Sequence, residues 1–377
     1  FGVPVTLTLD LLPAGSLKKM EANMPAAESV EDEALVRGAV ILVALFAFAV
    51  WVLVVFYLRI KAKVIDTRSS LIIALVGGFL FPLGILLQDI TSLQTTLLVT
   101  GTNELIQRVI QFGFLGAATS IVFFVLTAVS DSITRQYLPE KLESFDLIRN
   151  GHINNKPIGW VAVRGVSLGL FALGLYSASL WLVPDVTITN DIMITVNFNL
   201  FKPIMIVVLG LLLGFFLTLV VYQLVGNQLY AFAGNQWVVP LASAIIFAVV
   251  QPFGNVYGFM QGGLISAILG FYFGYIYLRT DFLTTAVTFV TFAIINTLEQ
   301  TWLIDGTHES IVFYTIISFF VILFTGGVLA IARGRDVNVL PSYIPEYMEE
   351  IAKEQRVRQE LQIARQVQFS FLPTYIP

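Results

Sequence analysis

The sequence predicts an all-α polytopic membrane protein of about nine transmembrane helices, with its N-terminus outside, its C-terminus cytoplasmic and a coiled-coil-like signalling helix at its end. Three observations predict it. Of 377 residues, 57% are hydrophobic and only 12% are charged, against about 45–50% apolar and about 25% charged in a soluble domain. That leaves too little polar surface to cover a water-soluble body of this size, and the mean hydropathy of +0.83 agrees. Apolar stretches of about 20 residues, the length a helix needs to cross a bilayer, recur along the chain. The basic residues divide unevenly between the connections.

Residues 1–34 are not membrane-like. Pro4-Val5-Thr6-Leu7-Thr8-Leu9-Asp10 alternates apolar residues with threonine, as a short strand does. The stretch Lys18 to Glu33 is charged and reads as a linker, so 1–34 is expected to be the end of an extracytoplasmic domain. The apolar spans then fall at roughly 36–58, 70–88, 108–129, 160–183, 203–225, 238–252, 259–278, 282–302 and 311–332. The span at 238–252 is short, as a tilted or re-entrant helix would be. They group into a three-helix subdomain (35–129), a cytoplasmic loop (130–159), a six-helix subdomain (160–334) and a cytoplasmic linker helix (335–377).

Loop charge sets the orientation. With the N-terminus outside, the cytoplasmic connections hold Arg59, Lys61, Lys63, Arg68, Arg135, Lys141, Arg149, Lys156, Arg279, Arg333 and Arg335. The opposite side holds only Lys18, Lys19, Arg37, Arg108 and Lys202. The long loop 130–159 reads as a subdomain boundary, a docking surface or a plain amphipathic connector.

Composition also excludes chemistry. There are no cysteines, so disulfides, zinc–thiolate sites and thiol nucleophiles are excluded. Two histidines leave almost no room for a histidine-based metal site, and no metal-ligating or catalytic residue is predicted in this chain. A net charge of −4 with no basic run argues against nucleic acid as a partner; the expected partner of the helices is the lipid bilayer.

Polar residues inside the spans are the candidate ligand site: Gln251, Asn255, Asn296, Glu299 and Gln300, with Gln261 nearby. Asn296, Glu299 and Gln300 share a helix face. Such a group either binds a small ligand or bonds helices together. Gly210 and Gly214 have the spacing of close helix packing. Arg164, about one turn into its span, is expected to snorkel to the inner surface.

After Arg335 the composition turns charged and helix-favouring. Val357, Leu361, Ala364, Gln368 and Phe371 follow 4-3-4-3 spacing and form one helical stripe, ended by Pro373. The stripe fits a homodimeric coiled coil or a lone amphipathic helix.

The phrase Glu360-Leu361-Gln362-Ile363-Ala364-Arg365-Gln366-Val367-Gln368-Phe369-Ser370-Phe371-Leu372-Pro373 resembles the leading helix of bacterial SpoIIE-type phosphatases, protein phosphatase 2C-like serine/threonine phosphatases. It keeps the family's Ala364, Arg365, Gln368, Ser370, Leu372 and Pro373, and departs from it at Val367 and Phe371. The resemblance implies a phosphatase domain after Pro377, with aspartates holding Mn or Mg to activate water against a phosphoserine of a phosphoprotein substrate. This chain would then be the membrane sensor and transmitter, with Val357 to Pro373 passing the signal on, in a bacterial inner membrane.

A second resemblance lies in the last helices. Ala244 to Gln251, Ile268-Leu269-Gly270 through Tyr277-Leu278-Arg279-Thr280, and Phe292-Ala293-Ile294-Ile295-Asn296 resemble motifs of the CAAX-processing and bacteriocin-protecting (CPBP) intramembrane proteases. Gln251 and Phe292 stand where that family has histidines, and no Glu-Glu pair occurs around Gln223 to Gln228. These residues cannot take up a proton near neutral pH, so the resemblance implies an inactive relative. An intramembrane protease, a transporter and a sensor of another output enzyme are the alternatives.

Overall fold

The computed structural model describes residues 27–88, 102–183, 187–188, 202–251, 256–257, 259–301, 307–334, 360–361 and 363–364. The strand expected at residues 4–10 lies outside them. Helix α1 runs Ala27–Lys61, α2 Thr67–Gln88 and α3 Thr102–Tyr137. A 3-10 turn (Pro139–Leu142) leads into the short α4 (Glu143–Arg149), and α5 spans Lys156–Leu182. Helix α6 (Lys202–Leu217) widens into a π-helical stretch (Thr218–Gly226) and continues as α7 (Asn227–Ala233). Then follow α8 (Val238–Val250), α9 (Phe259–Arg279), α10 (Phe282–Thr301) and α11 (Thr307–Arg333).

Each predicted apolar span matches one of these helical stretches to within two residues at its C-terminal end, or lies inside it. The physical reason is that hydrocarbon offers no hydrogen-bond partner, so a spanning backbone must satisfy its own groups. Seven helices among the described residues are long and apolar enough to cross a membrane, and Val238–Val250 and Phe282–Thr297 are shorter apolar helices. The chain is an all-α polytopic membrane protein.

The chain divides into two compact units, Phe1–Trp51 and Val52–Pro377. In the first, α1 exposes Leu42, Val43, Leu45 and Phe46, and Phe48 tilts against Trp51 at 5.7 Å. The packing described from here on lies within the second unit.

Helix α10 is its centre. Phe282, Thr285, Thr288, Phe289, Thr291, Phe292 and Ile294 are all fully buried, which covers every side of the helix. Its threonines are tolerated there because their hydroxyls turn back to their own helix: Thr285 donates to the Asp281 carbonyl, Thr288 to Thr284 and Thr291 to Val287. The neighbours approach through glycine. Gly165 and Gly169 of α5 lie against Val287 and Thr291, and Gly210 and Gly214 of α6 lie against Ile294 and Val290. The glycine spacing in α6 thus marks its crossing with α10. Other crossings have the same cause: Gly78 with Gly116 between α2 and α3, and Gly159 with Gly327 between α5 and α11.

Leu87, Val166, Met205, Ile206, Val290, Ile294, Val312, Ile316 and Phe320 join α2, α5, α6, α10 and α11 in one apolar cluster. At one end of the bundle, Thr187 and Ile188 pair antiparallel with Tyr257 and Val256, tying the α5–α6 connection to the α8–α9 connection. Residues 130–159 occupy the opposite end of α5.

Candidate functional site

The helix read as ending near residue 129 continues to Tyr137. Its last turns are polar in sequence but buried: Ser130, Asp131, Ser132, Ile133 and Thr134 are all 4% exposed or less. They are buried because the 3-10 turn, the π-helical stretch and α7 pack on this part of α3, with Asn227 of α7 bonded to Thr134 and Arg59 of α1 to Ser132.

Two carboxylates and two guanidiniums meet there. Arg135 Nε donates to Asp131 Oδ2 at 2.9 Å, one helical turn back. Its Nη1 and Nη2 grip both oxygens of Asp146 at 2.9 and 2.6 Å. Arg149 Nη1 donates to Asp131 Oδ1 at 2.7 Å and to Asp146 Oδ1 at 3.3 Å. The ring joins α3 to α4 and carries no net charge. Its four side chains are between 4% and 15% exposed, so the pairing is only weakly screened by salt. The bidentate Arg135–Asp146 contact also fixes orientation. The Arg149 guanidinium lies over the Phe145 ring at 4.5 Å. Phe145 meets Phe282 edge-on at 5.3 Å, which seats α4 on the start of α10.

Around this ring the ends of four other helices are held by polar contacts. Arg59, near the end of α1, donates to Ser132 Oγ at 2.7 Å and Gln136 Oε1 at 2.9 Å. Lys141 Nζ donates to the carbonyls of Leu278 and Thr280 at 2.8 and 2.7 Å, capping the C-terminus of α9 with a cation. Asp281 accepts from the Thr284 amide at 2.9 Å and caps the start of α10. Asn227, the first residue of α7, donates to Thr134 Oγ1 at 2.8 Å and accepts from the Tyr277 hydroxyl at 2.9 Å. Tyr277 stacks on Tyr222, whose hydroxyl meets Ser243 Oγ at 3.0 Å.

Burial shifts the titrating groups outside the spans. It pushes the Asp146 carboxyl up from its ordinary value, against the pull of Arg135 and Arg149. It pushes Asp281 up in the same way, and Lys141 down. Asp131 and Asp146 spend their oxygens on guanidiniums, so the ring is a joint between elements rather than a reaction centre. Among the described residues no group of three His, Asp or Glu could hold a metal ion.

A second joint leads to the tail. Asn155 caps α5, accepting from the Ile158 amide at 2.9 Å and donating to the His152 carbonyl at 2.6 Å. Gly334, just past α11, lies against the Asn155 backbone: a Cβ there would come within 2.8 Å of its carbonyl carbon. Gly334 therefore lies at the end of the bundle that carries the ring.

The residues expected from sequence are placed as follows. Gln251 is 5% exposed and ends α8 in the left-handed region at φ 46°, its amide bonded to the Phe247 carbonyl at 2.8 Å. Its side chain lies over Gly263 of α9. Asn296 is also 5% exposed, on α10. Glu299 and Gln300 belong to α10, with side chains outside the described residues; Asn255 lies wholly outside them. Leu361 and Ala364 are helical and exposed, while Val357, Arg365, Gln368, Phe371, Leu372 and Pro373 lie outside the described residues. Sequence reading missed the Asp131–Arg135–Asp146–Arg149 ring. Its signal was present as an i,i+4 and an i,i+3 pair of opposite charges.

Comparison with known proteins finds no matching protein-family model, no matching curated protein and no matching solved structure.

Proposed function

We propose that this chain is the membrane sensor and transmitter region of a bacterial signalling protein, multi-pass in the cytoplasmic membrane. Its output is a metal-dependent protein-serine/threonine phosphatase domain that follows Pro377. The observation that carries this reading is the phrase Glu360 to Pro373, with its SpoIIE-type Ala364-Arg365 and Leu372-Pro373. The seating of Gly334 on Asn155 supports it, because it links the start of the tail to the segment 130–159. The excess of Lys and Arg in the connections at that end supports a cytoplasmic placement. In this reading nine spans carry the chain from an outside N-terminus to an inside C-terminus. The stripe Val357, Leu361, Ala364, Gln368 and Phe371 pairs with that of a second copy, and a helix rotation there reaches the phosphatase. Mn or Mg belongs to that domain, as does the phosphoprotein substrate. Gln251, Asn255, Asn296, Glu299 and Gln300 are the proposed ligand-sensing group.

A second reading, an inactive relative of the CPBP proteases, draws support from Phe292. It stands in the place of that family's histidine and is fully buried, between Tyr176 at 5.9 Å and Phe273 at 5.7 Å, and its own ring can take up no proton.

The test is enzymatic. The protein extended beyond Pro377, reconstituted in liposomes with Mn, is expected to release phosphate from a phosphoserine protein, and residues 1–377 alone are expected to release none. A kinase or nucleotide cyclase encoded after Pro377 would sink the first reading. Peptide cleavage by residues 1–377 would sink the second.

A further inference from the structure

We propose that the outer face between α5 and α9 is a binding site for one anionic phospholipid, with Arg164 and Arg279 holding its phosphate.

Both arginines are exposed, and neither forms an ion pair with a carboxylate among the described residues. Each guanidinium lies over an aromatic ring of its own helix: Arg164 over Trp160 at 4.9 Å and Arg279 over Tyr275 at 5.5 Å. Both rings are exposed as well, Trp160 at 45% and Tyr275 at 38%. A guanidinium stacked this way keeps its N–H edge free to meet an oxyanion in two-pronged fashion. Arg279 is also not needed to cap α9, because Lys141 already serves the carbonyls of Leu278 and Thr280.

The two arginines lie toward the same end of two adjoining helices although they are far apart in sequence. The Tyr272 hydroxyl of α9 donates to the Leu168 carbonyl of α5 at 2.9 Å, and the Tyr272 ring meets Phe171 at 5.6 Å. The outer faces of α5 and α9 therefore adjoin. Asn155 at the start of α5 and Lys141 at the end of α9 both belong to the segment 130–159, so both helices approach that end of the bundle. From the contact at Leu168, Arg164 lies four residues toward that end, about 6 Å; from Tyr272, Arg279 lies seven residues toward it, about 10 Å, at 1.5 Å per residue. Helical periodicity keeps Trp160, Arg164 and Phe171 on one face of α5, and Phe271, Tyr275 and Arg279 on one face of α9.

Deeper along the same faces the surface is apolar. Phe171 of α5 and Leu264 and Ile268 of α9 are exposed. A face with two unpaired cations at its rim and bare hydrocarbon below matches an amphiphile with an anionic head and acyl chains. A soluble anion would use the rim alone. A zwitterionic lipid would bring its own cation to the two arginines and gain less.

The experiment is native mass spectrometry of the 377-residue chain released from nanodiscs made of equal parts phosphatidylglycerol and phosphatidylcholine. The wild-type chain is expected to retain phosphatidylglycerol in preference to phosphatidylcholine. R164Q/R279Q should lower that preference about thirtyfold, on the scale of about 1 kcal/mol for each of two cations at a membrane surface. R68Q, which removes an exposed arginine at the start of α2, should leave the preference unchanged. Equal preference in the wild type and R164Q/R279Q overturns the proposal, and so does an equal loss in R68Q. Displacement of the lipid by inorganic phosphate would show that the rim alone binds, and overturns the acyl-chain part. A second measurement needs no change at either arginine. Brominated phosphatidylglycerol should quench tryptophan emission more than brominated phosphatidylcholine at the same mole fraction, and W160F should lose that excess. Equal quenching by the two lipids overturns the proposal even if R164Q/R279Q does not fold.

Discussion

Replacing Arg135 with methionine is expected to cost far more than one surface ion pair. Arg135 makes three of the five hydrogen bonds within the ring: one to Asp131 and two to Asp146. Removing it leaves two buried carboxylates facing the single cation of Arg149. Both are shielded from water, Asp131 at 4% exposed and Asp146 at 15%. An exposed pair would contribute about 0–1 kcal/mol, whereas breaking a buried one costs about 3–5 kcal/mol, because a charge stays behind without its partner. Arg135→Met should therefore lose about 3–5 kcal/mol. R135M/D146L removes one charge of each sign and leaves the 2.7 Å Asp131–Arg149 pair in balance. It should lose about 1–2 kcal/mol, well below the sum of the two single changes. The assay is equilibrium unfolding of the purified chain in mixed micelles, run as a double-mutant cycle. A loss under about 1 kcal/mol for R135M, or strict additivity in R135M/D146L, would refute the view that the ring is a coupled unit.

Three further outcomes are expected. Tyr277→Phe deletes the donor to Asn227 Oδ1 and leaves a buried acceptor unmet, a loss of about 1–3 kcal/mol in the same unfolding assay; Tyr314→Phe, on an exposed ring, should lose under about 0.5 kcal/mol. Gly334→Ala pushes a Cβ against the Ala330 carbonyl oxygen and the Asn155 backbone, neither of which can swing aside as a flexible side chain would. It should cost about 1–3 kcal/mol and speed amide exchange at Ile158, whose N–H is held by Asn155 Oδ1; unchanged exchange there would mean that α11 does not bear on the α5 cap. Lys141 gives a pH signature. Burial lowers its folded-state value below the unfolded 10.5, so between the two values only the unfolded chain keeps the proton, and stability rises with pH across that window. The neutral amine still has hydrogens for Leu278 and Thr280. The stability difference between wild type and K141M should therefore grow as pH rises toward 10.5; a difference that shrinks would show that capping needs the charge.

The nine apolar stretches were legible because hydropathy is a local sum over about 20 neighbouring residues. The Gly210 and Gly214 crossing was legible for a similar reason, since three intervening residues put both glycines on one face. The polar end of α3 was not. Ser130, Asp131, Ser132 and Thr134 have the composition of a solvated loop, and only the packing of elements distant in sequence, Asn227 of α7 on Thr134 and Arg59 of α1 on Ser132, makes them interior. The π-helical stretch at Thr218–Gly226 was hidden too, because its apolar sequence fits an ordinary helix equally well. Of the candidate ligand residues, sequence placed Gln251 and Asn296 in apolar helices. That both are buried, and that Gln251 takes a left-handed turn over Gly263, is a matter of packing.

The sequence by itself determined that this is a polytopic helical membrane protein, because bilayer thickness and the need to satisfy backbone groups act on each segment alone. The tertiary structure decided which charges meet. Asp131 and Arg149 are 18 residues apart and Arg59 and Ser132 are 73 apart, yet each pair is in contact. An ion pair is a property of two places in space, and a chain read in one dimension shows only that each charge exists. The fold turns the polar stretch 130–159 from a connector into the element on which α1, α3, α5, α9 and α10 converge at one end of the bundle.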